Sequence, residues 1–375
     1  ATEERDYMFE HAWRQTREKF YVEDLHGVDW DFYKKEYQQK LSSINNGYDF
    51  AELLSELLGE LNASHTGARF RESMDGDQTA ALGCYFDNSH TGDGLKIIEI
   101  MDKSPLLSHK SKVKNGVIIE KIDGVAIVKD ENYYPLLNRK VNKKVLLSYF
   151  DPSTKVRWEE IVTPISFWEE NYLAYERWIK RCEFIVDSVS GGRVGYVHVE
   201  GMDSPSFRKV FDKVLGKLNK REALIVDTRF NGGGWLHDDL ATFLSGKIYM
   251  QFEPRGQKNM GGEPIWKWQK PSCVLMSEGN YSDAHLFPVT YKALNIGPLI
   301  GMPVPGTGTA VWWERMIDGA TVFGIPQVGM RSVSEGYLVE NKELQPDIKV
   351  QNDYTEFLKG NDQQLIRAVQ EMMKK

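Results

Sequence analysis

The sequence predicts an α/β and α+β multidomain protein, with an N-terminal helical segment, a β-rich middle and an α/β core. Three observations carry that expectation. Up to about residue 66, apolar and aromatic residues recur at helical spacing. From about 76 to 165, short β-type runs alternate with turns. From about 190 onward strands alternate with helices, which implies parallel pairing with right-handed crossovers. Sheets of that kind gather their sites at the carboxyl ends of the strands.

In the first segment Phe9, Trp13 and Phe20 recur at helix-like spacing, with Tyr7 and Tyr21 beside them. Phe50 to Leu61 reads as an amphipathic helix. It ends in Asn62-Ala-Ser-His-Thr-Gly67, a turn that carries Ser64 and His65 and is closed by glycine. In the middle, Leu95–Ile100, Gly116–Ile127 and Lys144–Phe150 read as strands, and Asp123-Gly124 is a hairpin signal. Lys155 to about Arg181 is rich in aromatic residues and is expected to link the segments by packing. Downstream, Arg193–Val199 reads as a strand and Ser206–Leu218 as an amphipathic helix. Ala223–Arg229 reads as a buried strand, followed by Asn231-Gly-Gly-Gly234 and a helix over Leu236–Leu244. Cys273–Met276 is a further buried strand, Ala284–Leu294 a helix and Leu299–Met302 a strand.

Composition sets the class. A chain of 375 residues with 41% hydrophobic and 27% charged residues is ordinary globular material, long enough for two or three domains. A net charge of −7 and the lack of a dense Lys/Arg run argue against a nucleic-acid partner. No apolar stretch approaches the roughly 18 residues that span a bilayer, so no membrane partner is expected. The first residues do not have the pattern of a signal peptide. Cys84, Cys182 and Cys273 are too widely spaced for a zinc site and odd in number for a disulfide framework. They read as small buried apolar residues. With no H-E-x-x-H run and no dense His/Cys cluster, no catalytic metal is expected.

Two turns at strand ends have complementary chemistry. Ser282 lies between a strand and a helix, where its hydroxyl can project from the sheet and the next N–H groups are unpaired. An acyl-transfer nucleophile needs that geometry, because the oxyanion must meet donors beside the attacked carbon. The competing role for Ser282 and Asp283 is plain helix capping. Asn231-Gly-Gly-Gly234 lets a backbone approach a ligand closely. It lacks the lysine and the glycine spacing of nucleotide-binding loops. One of its amides, paired with that of Asp283, would form an oxyanion hole. A nucleophilic serine also needs a neutral imidazole near pH 7, held in one tautomer by a partner on its other nitrogen.

Gly116-Val-Ile-Ile-Glu-Lys-Ile-Asp-Gly-Val resembles a run of the PDZ family, and Ser104-Pro-Leu-Leu107 is similar to the turn that precedes it. The resemblance implies a PDZ-like β-barrel over 76–165 that adds a peptide as an extra strand, with Leu82-Gly-Cys-Tyr85 as its carboxylate loop. A β spacer without a ligand is the alternative.

Ile225-Val-Asp-Thr-Arg-Phe-Asn-Gly-Gly-Gly234, Asn280-Tyr-Ser-Asp283 and Val339-Glu-Asn-Lys-Glu-Leu-Gln-Pro-Asp-Ile348 resemble three blocks of the tail-specific serine peptidases, in detail their tricorn branch. The resemblance implies a helical segment over 1–70 that contributes to the catalytic core and a crotonase-like α/β peptidase core over 170–375. By motif, Ser282 would be the nucleophile and His65 the general base, with Ser64 and Glu340 completing a tetrad. The amides of Asp283 and of Gly232 or Gly233 would bind the oxyanion. The carboxyl-terminal processing branch places a lysine near the position that Thr307 occupies here, so the departure favours His65 over a Ser-Lys dyad. His285 and His237 are the competing histidines and are expected to line or flank the cleft.

The implied activity is that of a serine endopeptidase, or a carboxypeptidase-like trimming enzyme, acting without cofactor on unfolded peptides or oligopeptides. The family also implies a homo-oligomer, β-propeller domains upstream of this chain and a cytoplasmic location, or a periplasmic or exported one for a bacterial relative. Two rivals are a non-catalytic PDZ-type peptide-binding scaffold and a crotonase-like acyl-CoA enzyme. The scaffold predicts no covalent capture by a fluorophosphonate, and the acyl-CoA enzyme predicts CoA binding indifferent to loss of Ser282.

Overall fold

A computed structural model describes residues 2–71, 76–258 and 261–374. The chain divides into two units, Ala1–Glu72 with Glu183–Lys375, and Ser73–Cys182.

The first unit begins with α1 (Thr2–Lys19), α2 (Trp30–Gln38) and α3 (Gly47–Gly59). Asp29 and Asn46 start the latter two, their side-chain oxygens accepting the otherwise orphaned N–H groups of Phe32 and Asp49. Phe9, Trp13 and Phe20 are buried in one core with Phe50, Leu54, Leu57 and Leu61. The helical periodicity thus marks an apolar face that is covered. β1 (Gly67–Phe70) follows the turn that carries Ser64 and His65.

The second unit holds β2 (Cys84–Phe86), β3 (Leu95–Ile100), β4 (Ile118–Ile122), β5 (Val125–Ala126), β6 (Val145–Asp151) and β7 (Val156–Val162). Asp123 (φ 49°) and Gly124 (φ 81°) turn β4 into β5 with two positive φ angles, as a tight hairpin requires. The antiparallel ladder runs β2-β3-β4-β6-β7. The barrel expectation is corrected here. Closure requires the first and last strands to pair, whereas β2 and β7 are the two edges of an open sheet. The aromatic stretch after Lys155 supplies β7 and then α4 (Phe167–Ser190).

The rest of the first unit is an α/β layer built from β8 (Val194–His198), α5 (Ser204–Leu215), β9 (Ala223–Asp227), α6 (His237–Leu244), a short hairpin of β10 (Met250–Gln251) and β11 (Gly262–Glu263), β12 (Ser272–Met276), α7 (Asp283–Ala293) and β13 (Leu299–Gly301). An antiparallel pair, β14 (Thr309–Arg315) and β15 (Thr321–Gly329), comes next, then β16 (Ile348–Lys349), α8 (Tyr354–Leu358) and α9 (Gln363–Met372). β16-β13-β12-β9-β8 form one parallel sheet, and β1-β15-β14 a separate antiparallel one. Every residue of β9 and β12 is buried, which explains why both read as unbroken apolar runs. Because these two strands are neighbours, the turns leaving their carboxyl ends, Asn231–Gly234 and Ser277–Ser282, come together.

Candidate active site

Ser282 sits at the junction of β12 and α7 with φ 56° and ψ −123°, a conformation that non-glycine residues rarely hold. Such strain costs on the order of 1–3 kcal/mol and persists only where surroundings enforce it. Here the surroundings are visible. The Ser282 N–H donates to Thr307 Oγ1 at 2.8 Å, and the Tyr281 N–H to the Asn231 carbonyl at 3.0 Å. Buried Asn280 braces the turn from within, accepting the Ser277 N–H at 3.1 Å and donating to Thr228 Oγ1 at 2.8 Å and to the Ala284 carbonyl at 3.1 Å. That last bond has a local cause. Pro288 lies inside α7 and has no N–H to give the carbonyl four residues earlier. Ser282 stands at the start of α7 without capping it, and the Asp283 carboxylate turns away to α6, so neither plays the plain capping role on its own helix.

His65 comes from the turn between α3 and β1, itself at φ 63°. Its Nε2 lies 2.8 Å from Ser282 Oγ. Its Nδ1 lies 2.8 Å from Ser64 Oγ and 3.1 Å from Thr309 Oγ1. Ser64 Oγ donates to Glu340 Oε2 at 3.0 Å, while the Ser64 N–H donates to Glu340 Oε1 at 2.5 Å. These bonds fix a tautomer. Once the Ser64 hydroxyl gives its proton to the carboxylate, its lone pair accepts from Nδ1–H, leaving Nε2 bare toward the Ser282 hydroxyl. The ring is positioned as well. The His65 N–H donates to Tyr281 Oη at 2.8 Å, and the two rings lie 4.9 Å apart. Gly324 makes room behind, since a Cβ there would stand 2.3 Å from the His65 carbonyl oxygen.

Burial pushes the His65 pKa down to about 4, so the imidazole is neutral across ordinary pH. Burial also raises Glu340, against the pull of the two Ser64 bonds.

The glycine turn closes over the nucleophile. A Cβ on Gly233, whose φ is 98°, would come within 2.6 Å of Ser282 Cβ, and one on Gly234 within 2.0 Å of the Met202 carbonyl oxygen. The Gly233 amide already donates to Asn231 Oδ1 at 2.8 Å. Among the described residues the amides of Gly232 and Asp283 have no protein acceptor. The Asp283 carboxylate ties the two turns together, accepting the Leu236 N–H at 2.5 Å, the His237 N–H at 3.0 Å and His237 Nδ1–H at 2.5 Å. That last bond raises the pKa of His237.

His285 is fully buried behind the turn, its Nδ1 accepting the Thr307 N–H at 3.2 Å, and burial lowers its pKa to about 4. Of the three histidines weighed against each other, His65 is the one whose ring reaches Ser282 Oγ. Tyr281, Thr309 and Asn280 are neighbours that spacing did not single out. For Thr307 a signal existed, because it stands where a lysine was sought and instead holds the Ser282 amide. No cluster of metal-binding side chains occurs among the described residues.

Residues 193–350 match Peptidase family S41, and residues 1–59 match the Tricorn protease C1 domain. The tricorn protease of Thermoplasma volcanium is 25% identical over 97% of this chain and 36% of its own length. Tricorn protease homolog 1 of Streptomyces coelicolor is 28% identical over 96% of this chain and 34% of its own. The chain therefore spans about a third of the length of these relatives. A crystal structure of the tricorn protease superposes with a TM-score of 0.86 over the whole of this chain and 37% of that one, at 22% identity, and shows the same fold.

Proposed function

We propose that this chain, which matches Peptidase family S41 and the Tricorn protease C1 domain, is a tricorn-like serine peptidase that hydrolyses peptide bonds of unfolded peptides through a Ser282–His65–Ser64–Glu340 relay and an acyl-enzyme. The observation that carries the reading is the unbroken hydrogen-bond path from Ser282 Oγ through both nitrogens of His65 and the Ser64 hydroxyl to Glu340.

In this mechanism neutral His65 Nε2 takes the Ser282 proton as Oγ bonds to the scissile carbonyl carbon. The imidazolium that forms is favoured by its Nδ1–H bond to Ser64, which leans on the Glu340 carboxylate. The amides of Gly232 and Asp283 receive the negative charge that gathers on the carbonyl oxygen. Collapse breaks the C–N bond, with His65 returning the proton to the leaving amine. A water then loses a proton to His65, attacks the ester and releases the acid, restoring Ser282.

The finer assignments belong to the same proposal. The unit Ser73–Cys182 is read as PDZ-like and peptide-binding, and the α/β layer as crotonase-like. The domain limits 1–70, 76–165 and 170–375 are proposed from the sequence pattern, and a homo-oligomer with β-propeller domains upstream and a cytoplasmic location from the resemblance to the tricorn branch. No helix among the described residues is long and apolar enough to cross a membrane.

Mass spectrometry of products from a mixed peptide library tests the function. Wild type is expected to generate internal cleavages that His65→Ala reduces by at least about 10³-fold. Equal product patterns from both proteins would overturn the assignment.

A further inference from the structure

The unit Ser73–Cys182 carries an open cavity of about 740 Å³, within the size range of ligand sites. Cys84 and Phe86 of β2 line it, together with Tyr133 and Tyr134 at the start of the turn Tyr134–Leu137. β2 is an edge strand, and an exposed edge is where an extended peptide can add to a sheet.

Glu170, from the first turn of α4, also lines the cavity, and its Oε1 accepts the Gly83 N–H at 2.8 Å. Gly83 has φ 66°, and a Cβ there would press to 2.9 Å against Ser104 Oγ. The turn is therefore shaped around a bare backbone whose amide faces the Glu170 carboxylate. A backbone amide at the head of a groove is what captures the free C-terminal carboxylate of a peptide. Here a carboxylate of the same chain already holds it.

That carboxylate is itself under-served. Glu170 is half-buried, burial raises its pKa, and among the described residues no cation lies within ion-pair distance of it. Lys96 is engaged by Asp87 at 3.0 Å. Around the cavity Lys96 and Lys129 stand against Asp87, Asp130, Glu131 and Glu170, which leaves an excess of negative charge. A desolvated carboxylate beside the rings of Phe86, Tyr133 and Tyr134 is complementary to a cationic side chain, through charge and through ring faces.

We propose that this cavity binds an extended peptide along β2 that directs a lysine or arginine side chain toward Glu170, and that it excludes a free C-terminal carboxylate. The inference rests on the peptide-binding reading of this unit given above and is independent of the chemistry at Ser282.

Fluorescence anisotropy with the full Ser282→Ala chain tests it, using labelled peptides that differ only in a central lysine, norleucine or glutamate, each made with an amidated and with a free C-terminus. The lysine peptide is expected to bind at least about tenfold more tightly than the norleucine one. Glu170→Gln, which keeps an acceptor for the Gly83 amide, is expected to erase that preference, and Tyr134→Ala to weaken both peptides. In the unsubstituted cavity, carbodiimide coupling of the bound lysine peptide is expected to mark Glu170, a readout that needs no variant at position 170. Binding without a lysine preference, binding that needs a free carboxylate, or coupling that bypasses Glu170 would overturn this inference alone. Absence of binding by every peptide would overturn the peptide-binding reading together with it.

Discussion

Ser64→Ala removes the hydroxyl that joins His65 to Glu340, and the structure sets the size of the effect. The lost bond is one to a ring that becomes charged in the transition state, and bonds of that kind contribute about 1.5–3 kcal/mol. At about 1.4 kcal/mol per decade, kcat falls by roughly 10- to 150-fold if nothing replaces it. A replacement is at hand, however, because Thr309 Oγ1 lies 3.1 Å from the same Nδ1 and can accept its proton. The expected loss for Ser64→Ala is therefore at the low end, about 10-fold. Thr309→Val alone should cost less than threefold while Ser64 is in place, and the double variant should lose about 100-fold or more, beyond the sum of the two. Neither group forms part of the oxyanion turn, so KM should hold while kcat drops. Steady-state hydrolysis of a fluorogenic peptide at pH 7.5 reads both constants. A Ser64→Ala enzyme with full kcat, or a double variant no worse than the single, would refute the relay.

Other perturbations have equally direct outcomes. Because burial holds the His65 pKa down to about 4 and only the neutral ring can accept a proton, kcat/KM should stay high as pH falls below 6.5 and be lost only near pH 4–5. An acid limb at the ordinary histidine value would contradict that. Asp283→Ala frees the α6 turn from the nucleophile turn by deleting three hydrogen bonds. It should lower kcat by about 10²–10³-fold, the size of losing an oxyanion donor, with Asp283→Asn recovering part of the loss in the same assay. Arg229 is buried with Asp227 at 2.7 Å and Asp362 at 2.9 Å. Arg229→Met strands both carboxylates and should cost about 3–5 kcal/mol in urea unfolding. Gly324→Ala would drive a methyl group against the His65 carbonyl, and kcat should drop by at least tenfold although the residue touches no substrate.

Much of this arrangement could be read from residue order. β9 and β12 announce themselves because burial on both faces leaves unbroken apolar runs, and α3 because its buried leucines recur at helical spacing. Asp123-Gly124 marked its hairpin because a tight turn demands positive φ at both positions. The pair β14–β15 was not read. In β14 the adjacent Trp312 and Trp313 are both exposed and only Thr309 is fully buried, so the alternation that betrays a half-buried strand is missing. The open edge of β2 also escaped, since closure depends on which distant strands pair and not on any local pattern. At the site, Ser282 stood out by its place on a strand-to-helix turn, whereas His65, Ser64 and Glu340 were nameable through the blocks that resemble the tricorn branch. The groups that hold them, Tyr281, Thr309 and Asn280, act through spatial neighbourhood alone, with Tyr281 reaching His65 across 216 positions of sequence.

Covalent capture addresses the centre of the account most directly. Wild-type protein treated with a fluorophosphonate should gain a single adduct, which peptide mapping places on Ser282. His65→Ala should slow its formation by at least about 10²-fold, and Ser282→Ala should abolish it. An adduct on another residue, or one that forms at the same rate without the imidazole, would contradict the account.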